Sequence, residues 1–157
     1  MFSVDIIAPD NINAKNAIKL VKNEAKSAHI ILKQDEYKGT SHNVVLELPG
    51  ETEETMLLTV EKLGQLTPVL DGIKIHNLQI LSGTKISEDF TNNPWHVMTL
   101  EEYSELLKKA LALLNPATII HRITGDGPKK LLIEPKWSSN KKMVLNHMKK
   151  LFPEMEK

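Results

Sequence analysis

The sequence predicts an α/β fold with parallel strands, and three observations carry that prediction. Strand-like and helix-like segments alternate over the middle of the chain. Val44-Val45-Leu46 runs into the turn dipeptide Pro49-Gly50 and then a segment of helical apolar spacing, which is the order a strand, turn and helix would give. Residues 99–114 carry the clearest amphipathic helix pattern in the chain.

The elements follow in order. Asp10 or Asn11 is placed to cap a helix running to about Ala28, with Ala14, Ala17, Ile18 and Val21 on one face. Ile30-Ile31-Leu32 reads as a short strand, and Asp35 to Ser41 as a polar loop. After Val44 to Leu46, Thr52 is a helix cap, and Glu53 and Glu54 stand in the first turn, where the helix dipole favours acids. Met56, Leu57, Val60 and Leu63 share a face, with Gly64 near the helix end.

Residues 72–81 read as one strand, with Ile73 and Ile75 on one side and Lys74 and His76 on the other. Ser82-Gly83-Thr84 ends it, and residues 85–98 read as an irregular loop. Thr99 and Glu102 then have capping-box spacing, followed by an apolar stripe at Tyr103, Leu106, Leu107, Ala110, Leu111 and Leu114. Asn115-Pro116 stops that helix. Thr118 to Thr124 and Leu131 to Ile133 are strands about the turn Gly125-Asp126-Gly127-Pro128, and Ser138 or Ser139 caps a last helix.

Composition narrows the function. At 157 residues and 41% hydrophobic, the chain suits one domain, or a small domain with an appended subdomain. No apolar run approaches the roughly 18 residues of a membrane span, and Met1-Phe2-Ser3-Val4-Asp5 does not open a secretory signal, so the expected location is the cytoplasm. There is no cysteine, which excludes disulfides, thiolate metal sites, Cys nucleophiles and cysteine-held Fe–S clusters together. Charge is balanced at 20 against 20 but unevenly placed: residues 121–157 carry 9 Lys/Arg against 4 Asp/Glu. Such a basic stretch is either a solvated face or a surface for phosphate.

Sharp catalytic signals are missing. His29, His42, His76, His96, His121 and His147 form no HExxH or other close metal pair, so no metal site is expected, and there is no G-x-S-x-G, Walker or G-x-G-x-x-G motif. The turn Leu48-Pro49-Gly50-Glu51-Thr52 opens a helix and aims backbone N–H groups at a polar ligand, or is simply a competent strand-to-helix turn. Lys74 and His76, on the polar side of their strand, are candidates to face a ligand. His121-Arg122 is a polar pair flanked by Ile119, Ile120 and Ile123, and a structural role accounts for it equally well.

The succession of these segments carries a family resemblance. Leu46-Glu47-Leu48-Pro49-Gly50-Glu51-Thr52 is similar to the GLPGET turn that follows a barrel strand in many radical-SAM proteins. Asp71 to His76, Leu81-Ser82-Gly83-Thr84, Leu100 to Tyr103, His121 to Pro128 and Pro135 to Lys141 follow in the order seen in a bacterial radical-SAM group with a C-terminal extension, related to the radical-SAM part of elongator-type acetyltransferases. Residues 42–152 carry the resemblance. Glu47 stands where that family usually has Gly.

The resemblance implies a fragment of a partial (β/α) barrel plus a small α+β C-terminal extension. Residues 1–41 are a segment it covers poorly, 42–84 the last βα units and 85–157 the extension. It implies a family that uses a [4Fe–4S] cluster and S-adenosylmethionine (SAM), although the three cysteines of a CxxxCxxC motif are absent and this chain alone binds neither. It places Leu48, Pro49, Gly50 and Glu51 on the SAM side, and Lys74, His76, His121, Arg122, Asp126, Trp137 and Asn140 toward substrate or between extension and barrel.

Three functions follow as expectations. The chain is a truncated radical-SAM-like protein without independent catalysis, or one half of a split enzyme completed by a cysteine-bearing radical-SAM chain. Alternatively it is a binding module whose Lys136, Lys141, Lys142 and Trp137 meet RNA or another protein.

Overall fold

A computed structural model of the chain describes residues 30–32 and 41–153. The helix expected up to Ala28 and most of the polar loop expected over 35–41 lie outside these residues; Ser41 opens a strand. Four strands form the main sheet: β1 (Ile30–Leu32), β2 (Ser41–Leu46), β3 (Gly72–Asn77) and β5 (Ile119–Arg122), in the order β1-β2-β3-β5. β2, β3 and β5 are parallel, and β1 joins β2 antiparallel. A second, two-stranded antiparallel sheet pairs β4 (Ile80–Leu81) with β6 (Leu132–Glu134).

Helix α1 (Glu53–Gly64) connects β2 to β3, and α2 (Lys85–Asn92) and α3 (Leu100–Ala112) lie between β4 and β5. A 3-10 turn (Lys136–Ser139) leads into α4 (Lys141–Leu151). The long connections are what parallel strands require, because the chain must return to the same end of the sheet before each strand.

Each helix start follows from local chemistry. Thr52 accepts from Thr55 N–H while Thr55 returns its hydroxyl to the Thr52 N–H, and Thr99 and Glu102 do the same for α3. The α3 stripe is core: Tyr103, Leu106, Leu107 and Ala110 are buried against β2, β3 and α4 in one cluster running from Val44 to Phe152. Tyr103 is wholly buried, and its hydroxyl donates to the Ile123 carbonyl at 2.7 Å, so the ring carries its polar tip to a partner.

Three expectations are corrected. Residues 72–81 are not one strand: β3 ends at Asn77, and β4 belongs to the other sheet. Asn77 and Gln79 divert the chain, because their side-chain oxygens accept from Gly125 N–H (2.8 Å) and Gly127 N–H (2.6 Å). Residues 85–98 are not all loop: Thr84 and Ser87 form a capping box for α2, and Ile86 is its buried anchor. The last helix is capped by Asn140, which accepts from Met143 N–H at 3.1 Å, while Ser138 and Ser139 lie in the preceding 3-10 turn.

α1 crosses α3 closely at Gly64. A Cβ there would sit 2.1 Å from the Leu113 carbonyl oxygen, a backbone atom that cannot swing aside. Gly64→Ala is therefore expected to lower the free energy of unfolding by about 1–3 kcal/mol, read from the urea midpoint, through overpacking.

Candidate functional site

β3 sorts its side chains by period two. Ile73 and Ile75 are fully buried toward the helices, so Lys74 and His76 project from the other face of the sheet, half-buried. β5 adds to that face through a register shift: Ile73 pairs with Ile120, but Lys74 pairs with Arg122, leaving His121 as an extra residue. A bulge of this kind re-aims side chains, and the His121 imidazole lies over Gly72, within 2.2 Å of where a Cβ would stand. Gly72 has the same parity as Lys74 and His76. The structure thus brings Lys74 and His76, expected to face a ligand, together with His121 and Arg122, expected toward the substrate or between extension and barrel.

The electrostatics of this face are one-sided. Burial, with the charges of Arg122 and Lys74 acting in the same direction, drives the His76 pKa down to about 4. The imidazole is neutral at pH 7. The neighbours of Lys74 and His76 on β2 are Asn43 and Val45, which carry no charge.

The turn after β2 is built differently. Glu47 has φ 72°, the left-handed conformation that favours Gly, and Gly50 follows at φ 87°. Its Oε1 accepts from Met98 N–H at 3.0 Å, while Oε2 is buried with no hydrogen-bond partner. Glu51 folds back so that Oε2 accepts from Leu48 N–H at 2.8 Å, and the Glu51 N–H donates to the Leu48 carbonyl. Burial raises both carboxyls to about 7, partly offset at Glu47 by the Met98 N–H and at Glu51 by backbone N–H groups. Glu47 was not among the expected site residues. Its signal was present as the departure from Gly.

The other expected residues serve the extension. Asp126 pairs with Lys141 at 2.6 Å, and Asn140 is the α4 cap. The Trp137 indole stacks obliquely on Tyr103 at 5.6 Å, and its N–H donates to the Met98 carbonyl at 2.9 Å. Met98 therefore ties Glu47 to Trp137 across the top of α3.

Known proteins share this architecture. The family model for the Radical_SAM C-terminal domain matches residues 70–152. The chain belongs to that family. The chain is 35% identical over 108 residues to YtqA of Bacillus subtilis, covering 69% of this chain and 33% of that protein. It is 28% identical over 111 residues to YhcC of Escherichia coli, covering 71% and 35%. The chain thus spans about a third of the length of these curated relatives. Among solved structures, the archaeal Methanocaldococcus infernus Elp3 with an N-terminal deletion superposes with a TM-score of 0.60 at 16% identity, over 94% of this chain and 35% of that one. That likeness shows the α/β fold.

The residues present include no thiolate to hold the iron–sulfur cluster that such a family implies. A [4Fe–4S] cluster needs thiolates, and none of the 157 residues is cysteine. Among the described residues, no three His, Asp or Glu side chains are grouped to hold a metal. In the turn where SAM contacts were expected, the N–H groups of Glu47, Leu48, Glu51 and Thr52 all have acceptors within the turn or α1, and Pro49 has none to give. Among the described residues of the turn, the exposed Gly50 N–H is left over, and Glu47 and Glu51 offer carboxylates. Among the described residues, no helix is long and apolar enough to cross a membrane.

Two outcomes follow. Glu47 and Glu51 bind protons more tightly folded than unfolded, so their contribution to stability is fully present below about pH 4.5 and is lost as pH rises toward 7. In Glu47→Gln the fall in unfolding free energy over that window becomes shallower, and in the double variant with Glu51→Gln shallower again, measured by urea unfolding at stepped pH. Gly72→Ala is expected to displace the His121 ring, seen as a changed His121 imidazole resonance while those of His96 and His147 hold.

Proposed function

We propose that this chain is a radical-SAM-like protein without radical chemistry of its own, supplying the ligand-facing C-terminal side of the fold. One observation carries the reading. The chain keeps the family's sheet, helices and extension, yet contains no cysteine. The family's chemistry begins with an electron from a reduced cluster; the cofactor performs that reaction and the protein positions it. This chain's own residues shape a polar sheet face and fasten the extension to it.

A second reading has an observation in its favour. Among the described residues β5 is the last strand of the sheet, and Ile119 on it is 61% exposed. An open edge beside exposed isoleucine is either an aggregation liability or a docking edge. In the split-enzyme reading, a cysteine-bearing radical-SAM chain adds strands there and closes the barrel over Lys74 and His76. Leu48 to Glu51 then sit on the side of the SAM that the partner holds. The RNA reading retains Lys136, Lys141 and Lys142, but Trp137 is committed to Tyr103 and Met98 and Lys141 to Asp126.

Anaerobic affinity purification from the native source tests this. The chain alone is expected to be colourless, and to stay so after incubation with iron and sulfide under reducing conditions. Cluster absorbance in the isolated chain sinks the proposal. A stoichiometric, coloured complex with a CxxxCxxC-bearing chain establishes the split enzyme.

A further inference from the structure

We propose that the polar face of β2, β3 and β5 is an anion-binding site, in which Lys74 and Arg122 supply charge and His76 and His121 supply imidazole hydrogen bonds to the carboxylate or phosphate group of a small ligand. It rests on the reading above that this face is the ligand-facing one, and adds the chemistry of the ligand.

The first support is convergence by construction. Alternation on β3 delivers Lys74 and His76 to one face, and the register shift on β5 delivers Arg122 and His121 to the same face. Without the extra residue, only every second side chain of β5 would point there. Gly72 leaves the room that the His121 ring occupies; any side chain at 72 would collide with it.

The second is a charge without an ion-pair partner among the described residues. Among the described residues, no ion pair includes Lys74 or Arg122, although Lys85, Lys109 and Lys141 each have a carboxylate partner. The acid that senses Arg122 is Asp126, and it is already held by Lys141 at 2.6 Å. The β2 residues across from the cluster are Asn43 and Val45, neither of them acidic. Burial lowers the His76 pKa most, and Arg122 and Lys74 lower it further, which places two positive charges within electrostatic reach of the ring and leaves a positive potential there. An oxyanion there would relieve it, through charge-assisted hydrogen bonds that are stronger than neutral ones.

The third is that half of the cluster is held by the sheet interior, while His121 and Arg122 reach it from the exposed strand β5. Lys74 and His76 are half-buried on a strand flanked by two others, so their positions are set before any ligand arrives.

The test uses the full chain and NMR of its histidine side chains at neutral pH. Inorganic phosphate and acetate are titrated separately, against chloride at matched ionic strength. Saturable shifts are expected at His76 and His121, with His96 and His147 as internal controls. Bound phosphate is also expected to raise the His76 midpoint by about one pH unit, as a close negative charge does. A response to phosphate alone assigns a phosphoryl group, a response to acetate alone a carboxylate, and a response to both a general oxyanion site. Lys74→Gln and Arg122→Gln should each weaken binding roughly tenfold, the loss expected for one charge-assisted bond. Either variant suffices if the other does not fold. No response beyond that of chloride overturns the proposal, as does an undiminished response in a folded variant. A colourless chain that binds no anion would leave the non-catalytic reading standing and remove only this inference.

Discussion

The alternation of β3 is the constraint on which the rest depends. Ile73 and Ile75 must lie under α1 and α3 for the sheet to have a core, and both are fully buried there. A shift of one residue would bury Lys74 and His76 in their place, and a buried unpaired ammonium costs far more than the isoleucines gain. The polar face is therefore not an independent choice. Once Ile73 and Ile75 pack against the helices, Lys74 and His76 are held on the opposite face at fixed spacing. The parallel register then sets Asn43 and Arg122 on either side of Lys74.

The same strand also organises the extension. Where β3 ends, its pairing needs are handed to side chains: the Asn77 and Gln79 carbonyl oxygens take the N–H groups of Gly125 and Gly127, and Gln79 Nε2 donates to Ser138 Oγ at 2.9 Å. Cβ atoms at Gly125 or Gly127 would press on the Gln79 side chain, so close backbone approach accounts for both glycines. Met148 and Val144 of α4 then complete the cluster begun by Val44 on β2. The extension is knit to the sheet by buried contacts and specific hydrogen bonds, so a change in one is felt by the other.

Much of this was legible in the sequence where a local rule acts alone. The α3 helix was readable because its cap, stripe and stop are all written within the eighteen residues from Thr99 to Pro116. The βα turn at Pro49-Gly50 and the two faces of β3 were readable from spacing. What escaped were features decided by distant partners. The α2 helix has one buried apolar anchor and a serine where a capping box more often shows an acid, so periodicity could not announce it. The break after Asn77 depends on glycines 48 residues away. The β5 register shift, which places His121 beside Arg122 on one face, exists only relative to β3. Of the candidate site, Lys74, His76, His121 and Arg122 were named from sequence, but their convergence was not. Asp126, Trp137 and Asn140 were named too, and the structure uses each to hold the extension together.

Glu47 joins the conformational and chemical sides of the protein. A residue other than Gly in the left-handed region carries strain of about 1–2 kcal/mol. A carboxyl that is largely buried, with one oxygen unpartnered, adds a desolvation cost. Glycine would avoid both. The visible compensation is the Met98 N–H, and through Met98 the link to Trp137 and the top of α3. At this turn the side chain fastens the approach to α3 and fills space that a glycine would leave for close approach to the backbone. With the turn's N–H groups of Glu47, Leu48, Glu51 and Thr52 turned inward as well, the segment closes on itself, and its one strained residue is held from outside by the Met98 N–H.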